Sequence, residues 1–271
     1  MDYQQEELRF ASTPSTSSDL RIPQDFTLQS LLLVYDYEHY QYVEKQNIQQ
    51  INRIEDINLG ARFQLGLGVS YNTTNEDYYL AFKHNYQHFF QFRDNQLFNI
   101  KANANGLLKA GSIENSFLSL NAAYFFNYKP RQQVYVAFKE AKTIKPFSQS
   151  FLELGGDLGL RGYPSHYQSG NHLQMITVEH RYYGAREWFA LAYAGFAFFY
   201  DAGQIWGETP RAQTPSGIHQ DIGFGLRLSN TRLSGREGGG HNIVHIDIAS
   251  PLNGDETLDK FQLLFSVRRS F

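Results

Sequence analysis

The chain has 271 residues, with 24 Lys and Arg against 27 Asp and Glu, so its formal net charge of -3 gives no argument for a nucleic-acid partner. It contains no cysteine, which excludes disulfide staples, thiolate metal sites and a cysteine nucleophile. A mean hydropathy of -0.45, with no run near the ~18 apolar residues a membrane helix needs, excludes a helical membrane bundle. By contrast, 18 Tyr, 22 Phe and 22 Gly in a strongly alternating chain suit a transmembrane β-barrel, in which lipid-facing and lumen-facing residues alternate.

Met1-Asp2-Tyr3-Gln4-Gln5 is no signal peptide, so a mature or recombinant start is expected for a bacterial barrel. About Tyr3 to Ala11 reads as a short strand, and Ser12 to Asp25, rich in Ser, Thr and Pro, as a loop. Gln29 to Val43 alternates, with Leu31, Leu33, Tyr35 and Tyr37 on one face and Asp36 and Glu38 on the other; Glu44 to Glu55 reads as a polar connection. Ile57 to Tyr71 keeps period two over fifteen positions, which is not helical and exceeds the usual globular strand of ~5–6 residues. The same alternation marks Tyr78 to Phe92, Phe98 to Lys109, Leu118 to Tyr128 and Val134 to Thr143. After an interruption come His172 to Tyr182, Phe189 to Trp206, Gln220 to Leu228, Asn242 to Ala249 and Lys260 to Phe271.

The expectation is an all-β chain of about twelve strands, a single antiparallel membrane barrel over residues 1-271. An even count puts both termini on one side, as bacterial barrels require. A soluble β-sandwich is the competing architecture, but it needs neither strands of this length nor so many outward rings.

The interruption, residues 142-171, is the expected functional loop, because loops of that length are uncommon and usually functional. At its centre Arg161 stands among Gly155, Gly156, Leu160, Gly162 and Tyr163. Arginine is always charged and presents a planar fork of donors, so a loop tip carrying it between tight turns suits a confined space lined by acids. Strand parity supplies those acids. Glu179 and Arg181 share the lumenal face of their strand, as do Asp201, then Asp221 and Arg227, then His245 and Asp247. An arginine–carboxylate contact made there can be bidentate and charge-assisted.

These residues carry a resemblance. Gly155-Gly156 followed by Leu160-Arg161-Gly162-Tyr163 resembles the lumenal-loop signature of the superfamily that contains BamA, TamA, the two-partner secretion transporter FhaC and bacterial surface antigens. Phe198-Phe199-Tyr200-Asp201-Ala202-Gly203 is similar to its downstream strand, whose acid receives the loop arginine. Val178-Glu179-His180-Arg181, Gly223-Phe224-Gly225-Leu226-Arg227 and Asp247-Ile248-Ala249-Ser250-Pro251 fit in order. Glu55-Asp56-Ile57-Asn58-Leu59-Gly60 resembles an earlier strand start, and Phe271 resembles the C-terminal recognition signal of outer-membrane barrels.

The resemblance implies a bacterial outer-membrane location and a role in inserting or translocating protein or lipid, or in remodelling the membrane. It implies contact with outer-membrane lipid and with unfolded outer-membrane clients or an assembly partner, with oligomerisation open, and no cofactor. The family's barrels have sixteen strands and periplasmic POTRA domains. The expectation here is a short member without a POTRA domain, or the C-terminal barrel part of a larger transporter. A passive or gated pore is the alternative, with Lys83, Lys101 and Lys109 lining the lumen. An enzyme is not expected: no Ser/His/Asp spacing marks a triad, and His241 and His245 lie in a loop-to-strand stretch where that spacing does not join two metal ligands.

Overall fold

A computed structural model describes residues 2-8, 26-147, 151-188, 191-209, 216-230 and 242-269. Its strands, in chain order, are β1 (Asp2–Leu8), β2 (Phe26–Glu38), β3 (Tyr42–Gln46), β4 (Ile54–Asn58), β5 (Arg62–Asn72), β6 (Asp77–Arg93), β7 (Gln96–Lys109), β8 (Ser112–Lys129), β9 (Gln132–Ile144), β10 (Leu152–Leu154), β11 (Gln168–Gly170), β12 (His172–Trp188), β13 (Ala192–Trp206), β14 (His219–Asn230), β15 (Asn242–Pro251) and β16 (Gln262–Arg269). Twelve of them make one antiparallel sheet in the order β1-β2-β5-β6-β7-β8-β9-β12-β13-β14-β15-β16, while β3-β4 and β10-β11 are separate two-stranded ladders. The sheet's two edges, β1 and β16, are not paired with each other among the described residues, so the expected closed barrel is an open sheet.

The sheet is curved around its own loop. The single turn of 3-10 helix at Gly156–Leu158 packs against β16 on one side and lines a cavity with β7, β8 and β9 on the other. Alternation then has an unusual consequence. The convex face carries Leu33 at 71% exposed, Leu67 at 51%, Phe198 at 56%, Ile222 at 52% and Leu263 at 73%. A soluble monomer does not normally leave so large an apolar surface in water. The concave face carries the charged and amide residues, so polarity is inverted relative to a soluble sandwich.

Two expectations about the N-terminal strands need correction. Ile57 to Tyr71 is not one strand: it breaks between β4 and β5. The Asn58 side chain causes the break, since its Oδ1 accepts the N–H groups of Gly60 at 2.8 Å and Gln41 at 2.9 Å. Such local side-chain bonds offer the backbone an alternative to the ladder. The supposed polar connection before it contains most of a hairpin, β3-β4, joined by residues 47-53.

That connection folds under the sheet at the end opposite the long loop. Glu55 is buried and accepts the N–H groups of Ile48 at 2.8 Å, Gln49 at 3.0 Å and Gln50 at 3.2 Å. Burial pushes its carboxyl above the usual range, and those three donors oppose the shift. Gln133 Nε2 donates to Asn47 O at 2.6 Å, Asn127 Nδ2 to Gln46 O at 3.0 Å, and Asn52 Nδ2 to Gly184 O. Ile48 and Ile57 pack with Phe89, Leu97 and Phe125, and Ile51 packs with Tyr183 and Ile243. The hairpin therefore ties β6, β7, β8, β9, β12 and β15 together across the concave face.

Candidate functional site

The loop after β9 turns back on itself before it reaches the wall. Gly155 N–H donates to Gly159 O at 2.8 Å, and Gly156 N–H to Tyr163 O at 3.0 Å. Gly155 sits at φ 125, a conformation that side chains rarely adopt. Leu160 and Tyr163 are fully buried, packed with Leu154, Leu173 and Ile205. The Tyr163 hydroxyl donates to Gln220 O at 2.8 Å, and burial raises its pKa. These two apolar anchors flank Arg161 and fix the direction in which it leaves the turn.

Arg161 enters the concave face and meets acids from three strands. Its Nε donates to Asp201 Oδ2 at 2.7 Å and its Nη2 to Asp201 Oδ1 at 3.0 Å, a bidentate fork. Nη1 reaches Glu179 Oε1 at 2.8 Å and Asp247 Oδ2 at 3.3 Å. The guanidinium lies 3.4 Å over the centroid of the Phe199 ring, a stacking that favours arginine over lysine. Burial alone would lower the pKa of Arg161, but Glu179, Asp201 and Asp247 outweigh it and hold the residue above its ordinary value.

The acids are held in turn. Thr177 Oγ1 donates to Asp201 Oδ1 at 2.8 Å. Arg181 Nε donates to Glu179 Oε2 at 2.7 Å, its Nη1 to Gln133 Oε1 at 3.1 Å, and its guanidinium stacks 3.7 Å over Tyr135. Arg227 Nη1 donates to Asp247 Oδ1, and Nη2 lies 3.9 Å from Glu179. Asp221 faces Asp201 directly across β13 and β14 and makes no ion pair with Arg161. Instead its Oδ2 accepts the Gly162 N–H at 3.0 Å. A side chain at residue 162 would place its Cβ 2.6 Å from Asp221 Cβ and 2.9 Å from Pro251 N, so glycine alone permits this approach.

The residues singled out in the sequence thus converge: Gly155, Gly156, Leu160, Arg161, Gly162 and Tyr163 from the loop, and Glu179, Arg181, Asp201, Asp221, Arg227 and Asp247 from four consecutive strands. His245 is buried on the same face, opposite Arg227. Phe271 lies outside the described residues. Phe199, Tyr135 and Gln133 were not singled out. Inward parity marks all three, but an inward ring looks like core until an arginine is placed on it.

Arg161, Glu179, Asp201 and Asp247 are all at least 95% buried and satisfied by one another. Removing one partner of such a buried network leaves the others uncompensated, at a cost of about 3–5 kcal/mol.

No protein-family model matches the sequence, and no curated protein is detectably similar to it. Solved structures do match by shape. CdiB from Escherichia coli superposes with a TM-score of 0.54 and 14% identity, over 90% of this chain and 45% of that one. BamA from Haemophilus ducreyi, in a structure lacking POTRA domains 1-3, gives a TM-score of 0.49 and 13% identity, over 90% of this chain and 63% of that one. The chain shares the fold of the CdiB structure and spans less than half of its length.

Proposed function

We propose that the chain is an outer-membrane β-barrel of the BamA-like superfamily, located in the bacterial outer membrane, that assists insertion or translocation of protein or lipid. The observation that carries this reading is the docked loop: Arg161 held by Asp201, Glu179 and Asp247 inside a sheet whose convex face is apolar. A passive solute pore has no need of a buried arginine bound by three acids. An insertion device does, because its wall must stay braced while one edge opens. The β1 and β16 edges, not paired with each other among the described residues, supply that edge, since open strand edges in lipid carry backbone groups with no partner. An incoming strand satisfies them by adding to the sheet.

The test is an insertion assay in proteoliposomes with an unfolded barrel client. Arg161→Ala is expected to abolish assisted insertion while the chain still partitions into the bilayer. Unchanged insertion by Arg161→Ala sinks the reading.

A passive pore is the second reading, favoured by the cavity that remains between the loop and β7–β9. Single-channel recording separates the two: a steady open conductance supports the pore, and a nearly silent barrel supports the plugged insertion device.

A further inference from the structure

The last two strands are joined by a connection too long to set their register. The β15–β16 ladder ends at Ala249 and Gln262, so residues 250-261, twelve in all, link the two. A hairpin loop of ~2–5 residues fixes register through its turn geometry, and a connection of this length does not. Apolar parity does not fix it either. Phe261 is exposed and continues the parity of Leu263, Phe265 and Val267. A two-residue slip that draws Lys260 and Phe261 into the ladder therefore keeps those three side chains on the convex face.

Contacts with the docked loop hold the connection instead. Asn253 is gripped at both ends of its amide. Its Oδ1 lies 2.8 Å from the Tyr163 hydroxyl and accepts the Gln220 N–H at 2.9 Å, and its Nδ2 donates to Ile218 O at 2.8 Å. The Asn253 carbonyl oxygen lies 2.5 Å from the same hydroxyl. Gly254, at φ 129, lies against the Tyr163 ring: a Cβ there would come within 3.4 Å of Tyr163 Cε1 and 2.6 Å of Leu258 Cδ1. Leu258 packs on the cluster formed by Leu154, Leu160 and Tyr163. Gly162, one step earlier in the loop, lies against Ser250 and Pro251 at the end of β15. Arg161 thus binds the wall, and the two residues after it bind the start of the connection that leads to β16.

We propose that Asn253 and Leu258 are positioning residues that transmit docking of the loop to β16 and set the register of that strand on β15. The proposal deepens the reading of β16 as a working edge and rests on it. With Tyr163 seated, the connection is pinned at Asn253 and Leu258, and Gln262 enters the ladder opposite Ala249. Without the clasp a shorter connection is favoured, because closing a shorter loop costs less entropy, and β16 slides. Arg161 takes no direct part in this step, since the acids that hold it lie on β12, β13 and β15.

The absence of cysteine makes the register directly readable. Val244→Cys with Val267→Cys places two thiols in register, and Val244→Cys with Phe265→Cys reports the two-residue slip. Both pairs are oxidised in phosphatidylcholine vesicles, in the parent and in Asn253→Ala with Leu258→Ala. The parent is expected to cross-link in register. The variant is expected to raise the slipped bond about tenfold, the scale of losing one or two hydrogen bonds and a packed leucine. Amide exchange at Gly155 and Gly156 is expected to stay as slow as in the parent. A slipped bond no more abundant in the variant than in the parent overturns the proposal. So does fast exchange at Gly155 and Gly156 in the variant, which would make the two residues general packing for the loop. Neither readout involves a client, so failure here leaves the Arg161→Ala insertion result standing, and failure of that result leaves the register measurement intact.

Discussion

The two halves of the concave face use charge in opposite ways. On β12 to β15, Arg227 and four carboxylates are buried together beside the part-buried Arg181, with Arg161 brought in from the loop to face Glu179, Asp201 and Asp247. On β5 to β9, Arg62, Lys101 and Lys139 stand in a row separated by amides, and Arg62 and Lys139 remain exposed. The first half spends its charge on itself and becomes a brace. The second keeps its cations apart, with amides between them and Glu38 in register opposite Arg62. Burial makes the difference: a buried charge is costly unless paired, so a change of one partner propagates, whereas an exposed lysine tolerates change within about 0.5 kcal/mol.

Substitutions that exchange these behaviours test the contrast. Arg161→Ala strands three acids at once and is expected to lower the unfolding free energy in micelles by about 3–5 kcal/mol, read from a urea titration. Within the brace, Asp201→Asn is expected to release the loop more than Asp247→Asn does. Asp201 accepts two bonds from Arg161, while Asp247 accepts one at 3.3 Å and is also held by Arg227. Charge-assisted bonds are each worth about 1.5–3 kcal/mol, so limited proteolysis of the loop ranks the pair. Equal release by the two substitutions contradicts the bidentate assignment.

On the other half, Arg62→Gln with Lys101→Gln is expected to leave the unfolding free energy within about 0.5 kcal/mol of the parent. A loss comparable to that of Arg161→Ala removes the distinction between the two halves.

The smallest effect concerns the hairpin end. The folded-state pKa of Glu55 is raised by burial above its unfolded value. Its contribution to stability is therefore fully present below the ordinary carboxylate pKa and is lost as pH rises through the raised one. Hydrogen exchange in residues 47-53 is expected to speed up from acidic to neutral pH beyond its intrinsic rate change, and Glu55→Gln is expected to flatten that excess.

The contrast also marks how far the sequence carries. Period two placed Glu179, Arg181, Asp201, Arg227 and Asp247 on one face, because parity survives any tertiary arrangement. It did not say which acid meets Arg161, since that depends on depth along the wall and hence on register. Asp221 illustrates this: it shares the face and lies directly opposite Asp201, yet its partner is a backbone N–H of Gly162. The break between β4 and β5 was hidden because Ile57, Leu59, Ala61 and Phe63 keep alternating through it. The β3-β4 hairpin was missed because five-residue strands leave too short a period to detect. The row from Arg62 to Lys139 is likewise a product of register: its members lie on five strands, and nothing in their sequence spacing joins them.

The central claim is that Arg161 locks the loop into the acidic half. The most direct measurement is amide hydrogen exchange of residues 154-163 in lipid, for the parent and for Arg161→Ala. The account predicts that the parent's Gly155, Gly156 and Tyr163 amides exchange as slowly as those of β12, and that in the variant they exchange like the exposed turn at residues 73-76. Equal and slow exchange in both would mean that Leu160 and Tyr163 hold the loop without the arginine, and would contradict it.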